Sequence, residues 1–91
     1  MNLEQLLMRE PDGVLLDIQM ELLSGRVPAT GHAHSYNRKV NRMIDAGELC
    51  MDPFKYRKIY LPTLARAVQR EMARRYVNVL LNGKICEDPA V

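Results

Sequence analysis

Two Asn–Arg pairs stand one helical turn apart in the middle of the chain, Asn37-Arg38 and Asn41-Arg42. In the major groove of DNA, arginine can bond guanine bidentately and asparagine can bond adenine in the same way. Lys39 lies between the two pairs and would flank them toward phosphate. This set predicts a helix face that reads DNA bases, and an ordinary solvated polar face is the alternative.

A second basic group, Lys55, Arg57 and Lys58, follows in a segment that the pattern predicts to be a β-hairpin. The runs 49–51 and 58–60 would be its strands, with turn residues between them. The basic side chains would then lie at or near the tip. A helix with Asn and Arg on one face, followed by a basic hairpin, is what a winged-helix protein presents to DNA.

The other residues with chemical potential form weaker patterns. His32, His34, Cys50 and Cys86 are metal-ligand types, but their spacing matches no zinc pattern of closely paired ligands. The sequence contains no glycine-rich phosphate loop and no recurring pair of carboxylates. We therefore predict that the chain is not an enzyme, holds no metal and needs no cofactor.

The Asn and Arg residues need a helix to bring them to one face, and the sequence predicts one over residues 35–46. Ser35 is the expected N-cap, because its hydroxyl can bond an amide of the first turn. The apolar stripe of this helix is Tyr36, Val40, Met43 and Ile44. Gly47 stands where a helix usually ends with a left-handed residue.

Two helices are predicted before it. Asn2 can cap a short first helix that ends before Pro11, since the residue before a proline is pushed out of the helical region. Asp12 can cap a second helix over about residues 13–24, and Gly25 ends it.

The second helix is apolar on most of its circumference. Its apolar residues are Val14, Leu15, Leu16, Ile18, Met20, Leu22 and Leu23. Asp17 and Glu21 are expected to face water, and the helix is expected to be a scaffold buried on most sides. Residues 25–34 then form a loop or a short extra helix, which is longer than the turn of a standard helix-turn-helix.

A long helix is predicted after Pro62, a residue that suits a first helical turn. The apolar repeat of this helix is Leu64, Val68, Met72, Tyr76 and Leu80. It would have about 20 residues and a length near 30 Å. Another side carries Arg66, Arg70, Arg74 and Arg75. These arginines either contact phosphate or form a solvated face on which Glu71 supports Arg75.

The far end of that helix extends beyond what so small a domain can cover. Left exposed, its apolar side chains would form a patch that monomers seldom tolerate. The simplest cover is the same helix from a second chain, packed about a two-fold axis. We predict a homodimer through Met72, Tyr76, Val77, Leu80 and Leu81. Residues 84–91 are expected to be a flexible tail.

Composition and charge place the chain in a broad class. With 91 residues, of which 47% are hydrophobic, it can form one domain with a small core, expected over residues 1–83. No apolar run approaches the length of a membrane span, so no membrane is expected. Two cysteines make no disulfide framework, which favours free thiols in the cytoplasm. The net charge is −4 over residues 1–25, +4 over residues 26–60 and +2 over residues 61–91, so the basic excess coincides with the predicted helix and hairpin.

The segment VNRMIDAGELCMDPFKYRKIYLPTLARAV resembles winged-helix DNA-binding proteins, and over residues 35–68 the chain is similar to the small phage excisionases. The shared order is a helix, a glycine-type stop, a proline-containing hairpin, a Tyr-Leu strand exit and a following helix. The resemblance implies sequence-specific DNA binding. It places Asn37, Arg38, Asn41 and Arg42 in the major groove, and Lys55, Arg57 and Lys58 on the backbone or in the minor groove.

We therefore expect a mainly α fold with a small β-hairpin, similar to a winged helix-turn-helix with a long C-terminal helix. The expected function is binding of double-stranded DNA, as a transcriptional regulator or as a phage- or plasmid-type accessory factor. The alternative is a protein-binding module. In that case the winged helix would be a scaffold, and its Met-rich surfaces or its basic face would dock a host protein.

Overall fold

A computed structural model of the chain describes residues 1–50 and 58–78, with side chains as far as Tyr76. The described residues form four helices: α1 (Leu3–Met8), α2 (Asp12–Ser24), α3 (His32–Asp45) and α4 (Leu61–Asn78). α4 packs against each of the other three helices, and α2 also packs against α3. Within these residues, none of the helices combines the length and the hydropathy that crossing a bilayer requires.

The first two helices begin and end close to where the sequence indicates. The Asn2 side chain accepts a hydrogen bond from the Gln5 amide, and the Gln5 side chain accepts one from the Asn2 amide, which forms a capping box. α2 has Pro11 rather than Asp12 as its N-cap. Gly25 ends α2 in the left-handed conformation, with φ of 78°, as predicted.

α3 begins three residues earlier than expected, so the prediction that Ser35 is its N-cap is wrong. The N-cap is Gly31, and the missing cap comes from the half-buried Glu21 of α2. Its carboxylate accepts hydrogen bonds from the backbone N–H groups of His32 (2.7 Å) and Ala33 (3.0 Å). A Cβ at Gly31 would come within 2.6 Å of that carboxylate, so glycine lets the two helices approach.

α3 ends at Asp45 with Ala46 as its C-cap, and the predicted glycine follows in the left-handed conformation. Gly47 has φ of 77°, and its N–H donates to the carbonyl of Ile44 at 3.0 Å. The next amide, that of Glu48, donates to the carbonyl of Met43 at 2.9 Å. This pair of bonds is the Schellman arrangement, which satisfies carbonyls that a helix end leaves unpaired.

The core lies where the four helices meet. Its buried residues are Leu3, Leu6 and Leu7 of α1, Leu15 and Ile18 of α2, Ala33, Tyr36, Val40 and Ile44 of α3, and Leu64, Ala67 and Val68 of α4. Leu49 and Ile59, which lie between α3 and α4 in the sequence, are buried in the same cluster. The predicted stripe of α3 is thus confirmed as a core face, with Met43 packed at its edge.

The prediction of a β-hairpin, and with it of a winged-helix fold, is wrong: the described residues are helical and contain no strand. The backbone groups that a ladder would use have other partners. The Cys50 N–H donates to the carbonyl of Met1 at 3.0 Å. The Ile59 N–H donates to Asn41 Oδ1 at 2.8 Å, and Asn41 Nδ2 donates to the Ile59 carbonyl at 3.0 Å. The apolar residues at these positions anchor connecting chain in the core instead of pairing strands.

Parts of several predictions lie outside the described residues. The expected hairpin tip, with Lys55 and Arg57, belongs to residues 51–57. The C-terminal dimerisation residues Leu80 and Leu81 and the expected tail belong to residues 79–91.

Candidate functional site

One face of α3 is polar, basic and exposed. Its residues are His32, Ser35, Arg38, Lys39 and Arg42. At the α-helical period these five positions lie within an arc of about 120°. The buried stripe of Tyr36, Val40 and Ile44 lies on the opposite side. No acidic residue occurs in α3 before Asp45, its last residue. No carboxylate of α3 therefore interrupts the hydrogen-bond donors along the row.

The two predicted base-reading arginines both belong to this row. Arg38 and Arg42 are exposed and stand one turn apart. The Arg38 guanidinium donates through Nη1 to the carbonyl of Ala29 at 3.0 Å, which holds it over the preceding loop. An exposed guanidinium with one such bond among the described residues keeps most of its five donors for a partner.

The two predicted base-reading asparagines lie off the row. Both donor and acceptor of the Asn41 amide are bonded to the backbone of Ile59, as described above. Asn37 is half-buried, and its Oδ1 is buried without a hydrogen-bond partner among the described residues. The structure therefore gives Asn41 a role in positioning the segment before α4, and it places neither amide beside Arg38 and Arg42.

Lys39 belongs to the row and also contacts a neighbouring cluster formed by Glu10 and Tyr36. Its Nζ lies 3.7 Å from Glu10 Oε2 and 5.3 Å from the ring centre of Tyr36. The Tyr36 hydroxyl donates to the same carboxylate oxygen at 2.7 Å. Burial, together with this bond to Glu10, raises the pKa of Tyr36 far above its usual value. The cluster fastens the α1–α2 turn to α3, while the Lys39 ammonium itself is exposed.

The N-terminus of α3 is already occupied by an anionic group. The Glu21 carboxylate that caps α3 has its pKa lowered, first by the backbone N–H groups of Ala33 and His32, and further by the imidazoles of His32 and His34. Helix N-termini often bind phosphate, but at α3 the Glu21 carboxylate already occupies these amides. The side chains of the exposed row do not take part in these two bonds.

Lys58, the remaining described residue of the predicted basic hairpin, is exposed. It directly precedes Ile59, which Asn41 ties to α3. Lys58 is thereby held beside the C-terminal half of α3.

The arginines of α4 differ from those of α3 because a buried carboxylate lies among them. Glu71 is only 7% exposed. It accepts bonds from Arg74 (Nη2 to Oε2, 2.6 Å) and from Arg75 (Nε to Oε2, 2.7 Å). These partners, Arg74 first, hold the pKa of Glu71 below its usual value against the opposing effect of burial. The predicted support of Arg75 by Glu71 is thus confirmed.

Arg75 also joins α4 to the start of the chain. Its Nη2 donates to the carbonyls of Leu7 and Glu10, both at 2.8 Å, and its Nη1 donates to the Asp12 carboxylate. The guanidinium therefore gives further donors to carbonyls at and just after the end of α1, where the Leu7 carbonyl also accepts from the Glu10 N–H at 3.1 Å. With 19% of its side chain exposed, Arg75 has a structural role.

Arg66 and Arg70 are exposed and line an open cleft of about 460 Å³ between α4 and the start of α1. Arg70 Nη1 lies 3.5 Å from Glu4 Oε2. The cleft also contains Cys50 and Thr63. These two arginines carry charge comparable to that of Arg38 and Arg42, but on a different face of the molecule.

An apolar groove runs between α2 and α4. The sequence predicts exposed apolar residues on its α4 wall but not on its α2 wall. Its walls are Leu16, Gln19, Met20 and Leu23 of α2, and Gln69, Met72, Ala73 and Tyr76 of α4. The exposed fractions are 48% for Leu16, 61% for Met20, 69% for Leu23 and 66% for Tyr76. The expectation that α2 is buried on most sides is therefore wrong.

A sequence signal for the α2 wall was present. Leu15, Ile18 and Leu22 form the core stripe of α2, whereas Leu16, Met20 and Leu23 repeat at i, i+4 and i+7 on a second stripe. A single core can bury only one of these two apolar stripes of α2. Of the predicted dimerisation residues, Met72 and Tyr76 lie in the groove, and the Val77 side chain is outside the described part.

Among residues 1–50 and 58–78, no three His, Cys, Asp or Glu side chains come together as a possible metal site. Cys86 lies outside these residues, so the absence of a metal stays a prediction. Comparison of the chain with family models, with curated proteins and with solved structures gave no match.

Proposed function

We propose that this chain binds double-stranded DNA by laying the exposed face of α3 in the major groove. The observation that supports this most is the row of His32, Ser35, Arg38, Lys39 and Arg42 opposite the core stripe. Each of these side chains can donate a hydrogen bond. α3 has 14 residues and is about 21 Å long, and a groove about 12 Å wide admits such a helix.

Arg38 and Arg42 are the base-reading residues of this proposal. They are separated by four residues, or about 6 Å along the helix axis, which is close to the length of two base-pair steps at about 3.4 Å each. Two guanidiniums at that separation can reach the acceptor edges of guanines two base-pair steps apart. Ser35, one turn earlier, can donate to or accept from a base edge.

The remaining cations of this surface fit the DNA backbone. Lys39 stands at one edge of the row, and Lys58 is held beside α3 through the bonds between Ile59 and Asn41. Ammonium groups on flexible stems suit phosphate better than a particular base. Asn41 acts as a positioning residue in this arrangement.

The cellular setting is part of the same proposal. A small DNA-binding protein of this kind serves as a transcriptional regulator or as an accessory factor of a phage or plasmid. A cytoplasmic location, where Cys50 and Cys86 would stay reduced, is consistent with it.

Titration of a fluorescent random-sequence duplex across a salt series tests the proposal. Because phosphate contacts release counterions, the logarithm of the binding constant should fall linearly with the logarithm of salt between about 50 and 200 mM. The double variant Arg38→Gln/Arg42→Gln should bind far more weakly, because it removes two positive charges from the α3 face that lies against the duplex. The matched control Arg66→Gln/Arg70→Gln removes the same charge from the cleft on α4 and should bind nearly as the wild type does.

Two outcomes would contradict the proposal. Absence of binding at the lowest salt would exclude DNA as the ligand. Equal weakening in both double variants would mean that net charge, and not the α3 face, governs association.

Protein binding is a second candidate function, and the apolar groove between α2 and α4 favours it. Exposed contiguous apolar surface on a small domain usually marks an interaction site. A host protein and a second copy of this chain would compete for that groove.

A further inference from the structure

We infer that the cleft between α4 and the start of α1 binds a small metabolite through a phosphate monoester group, which Thr63, Arg66 and Arg70 hold. The inference stands independently of DNA binding, since the cleft and the α3 row have no residue in common. It also differs from the predicted phosphate strip of four arginines on α4, of which only two line the cleft.

The donors of the cleft lie on one face of α4. Thr63, Arg66 and Arg70 stand at positions i, i+3 and i+7 of the helix, and Ala67 lies among them at i+4. The two arginines are exposed, and Thr63 is half-buried. Because the side chain of Ala67 ends at a methyl group, the face between the two arginine stems is a recess and not a ridge.

The backbone amides at the start of α4 are not the donors of this site. The N–H groups of Thr63 and Leu64 both donate to the carbonyl of Tyr60, at 2.9 and 3.2 Å. Pro62 has no N–H to offer. A ligand in the cleft therefore meets side-chain donors, namely two guanidiniums with five N–H groups each and one hydroxyl.

This set of donors suits a phosphate monoester better than a carboxylate or a phosphate of the DNA backbone. A phosphate monoester has three terminal oxygens and a charge of about −1.5 to −2 at pH 7. A carboxylate and a phosphodiester each have two such oxygens and a single charge. Guanidiniums bind such oxygens bidentately, and the stems of Arg66 and Arg70 are separated by about 6 Å along the helix axis, so they can bond one group from two sides.

The opposite wall of the cleft fits the rest of such a ligand. The volume of about 460 Å³ is within the range of small-molecule sites and exceeds what a phosphate alone requires. Leu3 is a buried apolar residue of that wall. The Glu4 carboxylate lies 3.5 Å from Arg70 Nη1, and both side chains are more than half exposed. An exposed pair of this kind is weak, so a phosphate can displace Glu4, which can then accept a bond from a hydroxyl of the ligand.

Amide chemical-shift titrations with glycerol 3-phosphate and with dimethyl phosphate test the site, because they report both where and how strongly each ester binds. Glycerol 3-phosphate, a monoester, should shift Leu3, Thr63 and Ala67 saturably. Dimethyl phosphate, a diester, should bind at least about ten-fold more weakly, since it lacks one charge-assisted acceptor. Equal affinity for the two esters would overturn the inference, and so would an absence of saturable changes in the cleft.

A pair of arginine variants tests which cations hold the phosphate. Arg66→Gln/Arg70→Gln should weaken binding of glycerol 3-phosphate at least about ten-fold. Arg38→Gln/Arg42→Gln removes the same charge from α3 and should bind it as the wild type does. Circular dichroism should show the same helix content for both, because all four side chains are exposed. Equal weakening in the two variants would mean that net charge governs binding, and would overturn the inference.

A pair of acid variants tests the displacement of Glu4. Glu4→Gln should bind glycerol 3-phosphate more tightly than the wild type, because the guanidinium of Arg70 loses its competing carboxylate. Asp17→Asn is the matched control, since Asp17 is exposed on α2 and lies outside the cleft. It should leave the affinity unchanged. The same gain in both variants would contradict a site that contains Glu4.

These measurements also separate the inference from the proposed function. A wild-type chain that binds glycerol 3-phosphate in the cleft but no duplex DNA would refute only the proposed function. A chain that binds duplex DNA through α3 and leaves the cleft unchanged with glycerol 3-phosphate would refute only this inference.

Discussion

Arginines recur at helical spacing on both α3 and α4, and the two sets have different neighbours. On α4, the buried Glu71 orders Arg74 and Arg75, and Arg75 reaches carbonyls at the end of α1. On α3, Arg38 and Arg42 are exposed, and the described contact of Arg38 is one loop carbonyl. The same residue type is structural beside the buried carboxylate of α4 and available to a ligand on α3, where no carboxylate adjoins it among the described residues.

The largest expected effect on stability comes from a substitution among the structural arginines of α4. Arg75→Ala removes donors from the carbonyls of Leu7 and Glu10 and one of the two guanidiniums bonded to Glu71. We expect a loss of about 2–4 kcal/mol in the free energy of unfolding, because several bonds of one largely buried guanidinium are lost together and the buried Glu71 keeps only Arg74 as its cation. Urea denaturation measures it. A loss below about 0.5 kcal/mol, typical of surface sites, would contradict the structural role of Arg75.

The next effect concerns the asparagines that the sequence placed beside the arginines. Asn41→Ala leaves the N–H and the carbonyl of Ile59 without their partner and should cost about 1–3 kcal/mol of folding stability. Asn37→Ala is the matched control. Its Oδ1 is buried and unbonded among the described residues, so its removal should leave stability unchanged or raise it. Similar losses in the two variants would contradict the assignment of Asn41 as a positioning residue.

A smaller effect on stability, which depends on pH, is expected from the Glu21 carboxylate that caps α3. The pKa of Glu21 in the folded state lies below its usual value of 4.5, so the ionised cap stabilises the folded state above that pH. This contribution is lost as the pH falls through the lowered folded-state pKa. Glu21→Gln should therefore be less stable than the wild type at neutral pH, and the difference should shrink in acid. Denaturation curves across the acid range measure this, and a difference that is constant with pH would contradict it.

The smallest effect on stability belongs to the exposed set. Arg42→Ala should change the free energy of unfolding by no more than about 0.5 kcal/mol, as surface substitutions do. The same variant should lose about 1–3 kcal/mol on a specific DNA site if Arg42 bonds a guanine. Thermal denaturation and DNA titration of one preparation give both values. A large loss of stability would mean that Arg42, like Arg75, has a structural role, and would contradict the contrast between α3 and α4.

Local signals in the sequence predicted the helices well. The Asn2 cap and the Gly25 and Gly47 stops depend on contacts within a few residues. The core stripe of α3 follows from the helical period of its apolar residues, so the spacing in the sequence reveals it as well. The cap of α3 by Glu21 could not be predicted in this way, because its partners lie 11 and 12 residues away and meet only when α2 packs on α3.

The hairpin error has a physical cause as well. Leu49 and Ile59 are apolar and flank turn residues, which is a strand signal. A buried apolar residue in connecting chain gives the same signal, and the distinction depends on backbone partners such as Asn41 that the sequence pattern does not show. The helical period correctly predicts that Arg38 and Arg42 share an exposed face, but it does not show that the positions of the two asparagines border the core.

Amide chemical-shift mapping of the isotope-labelled chain with duplex DNA tests the central claim most directly, because it compares the α3 row with the rest of the molecule in one titration. We expect the largest changes along residues 32–42 of α3, including Ser35, Arg38 and Arg42. Leu16 and Ala73 in the groove should change little. Changes confined to α2 and α4, or no changes at low salt, would contradict the claim that α3 is the DNA-binding helix.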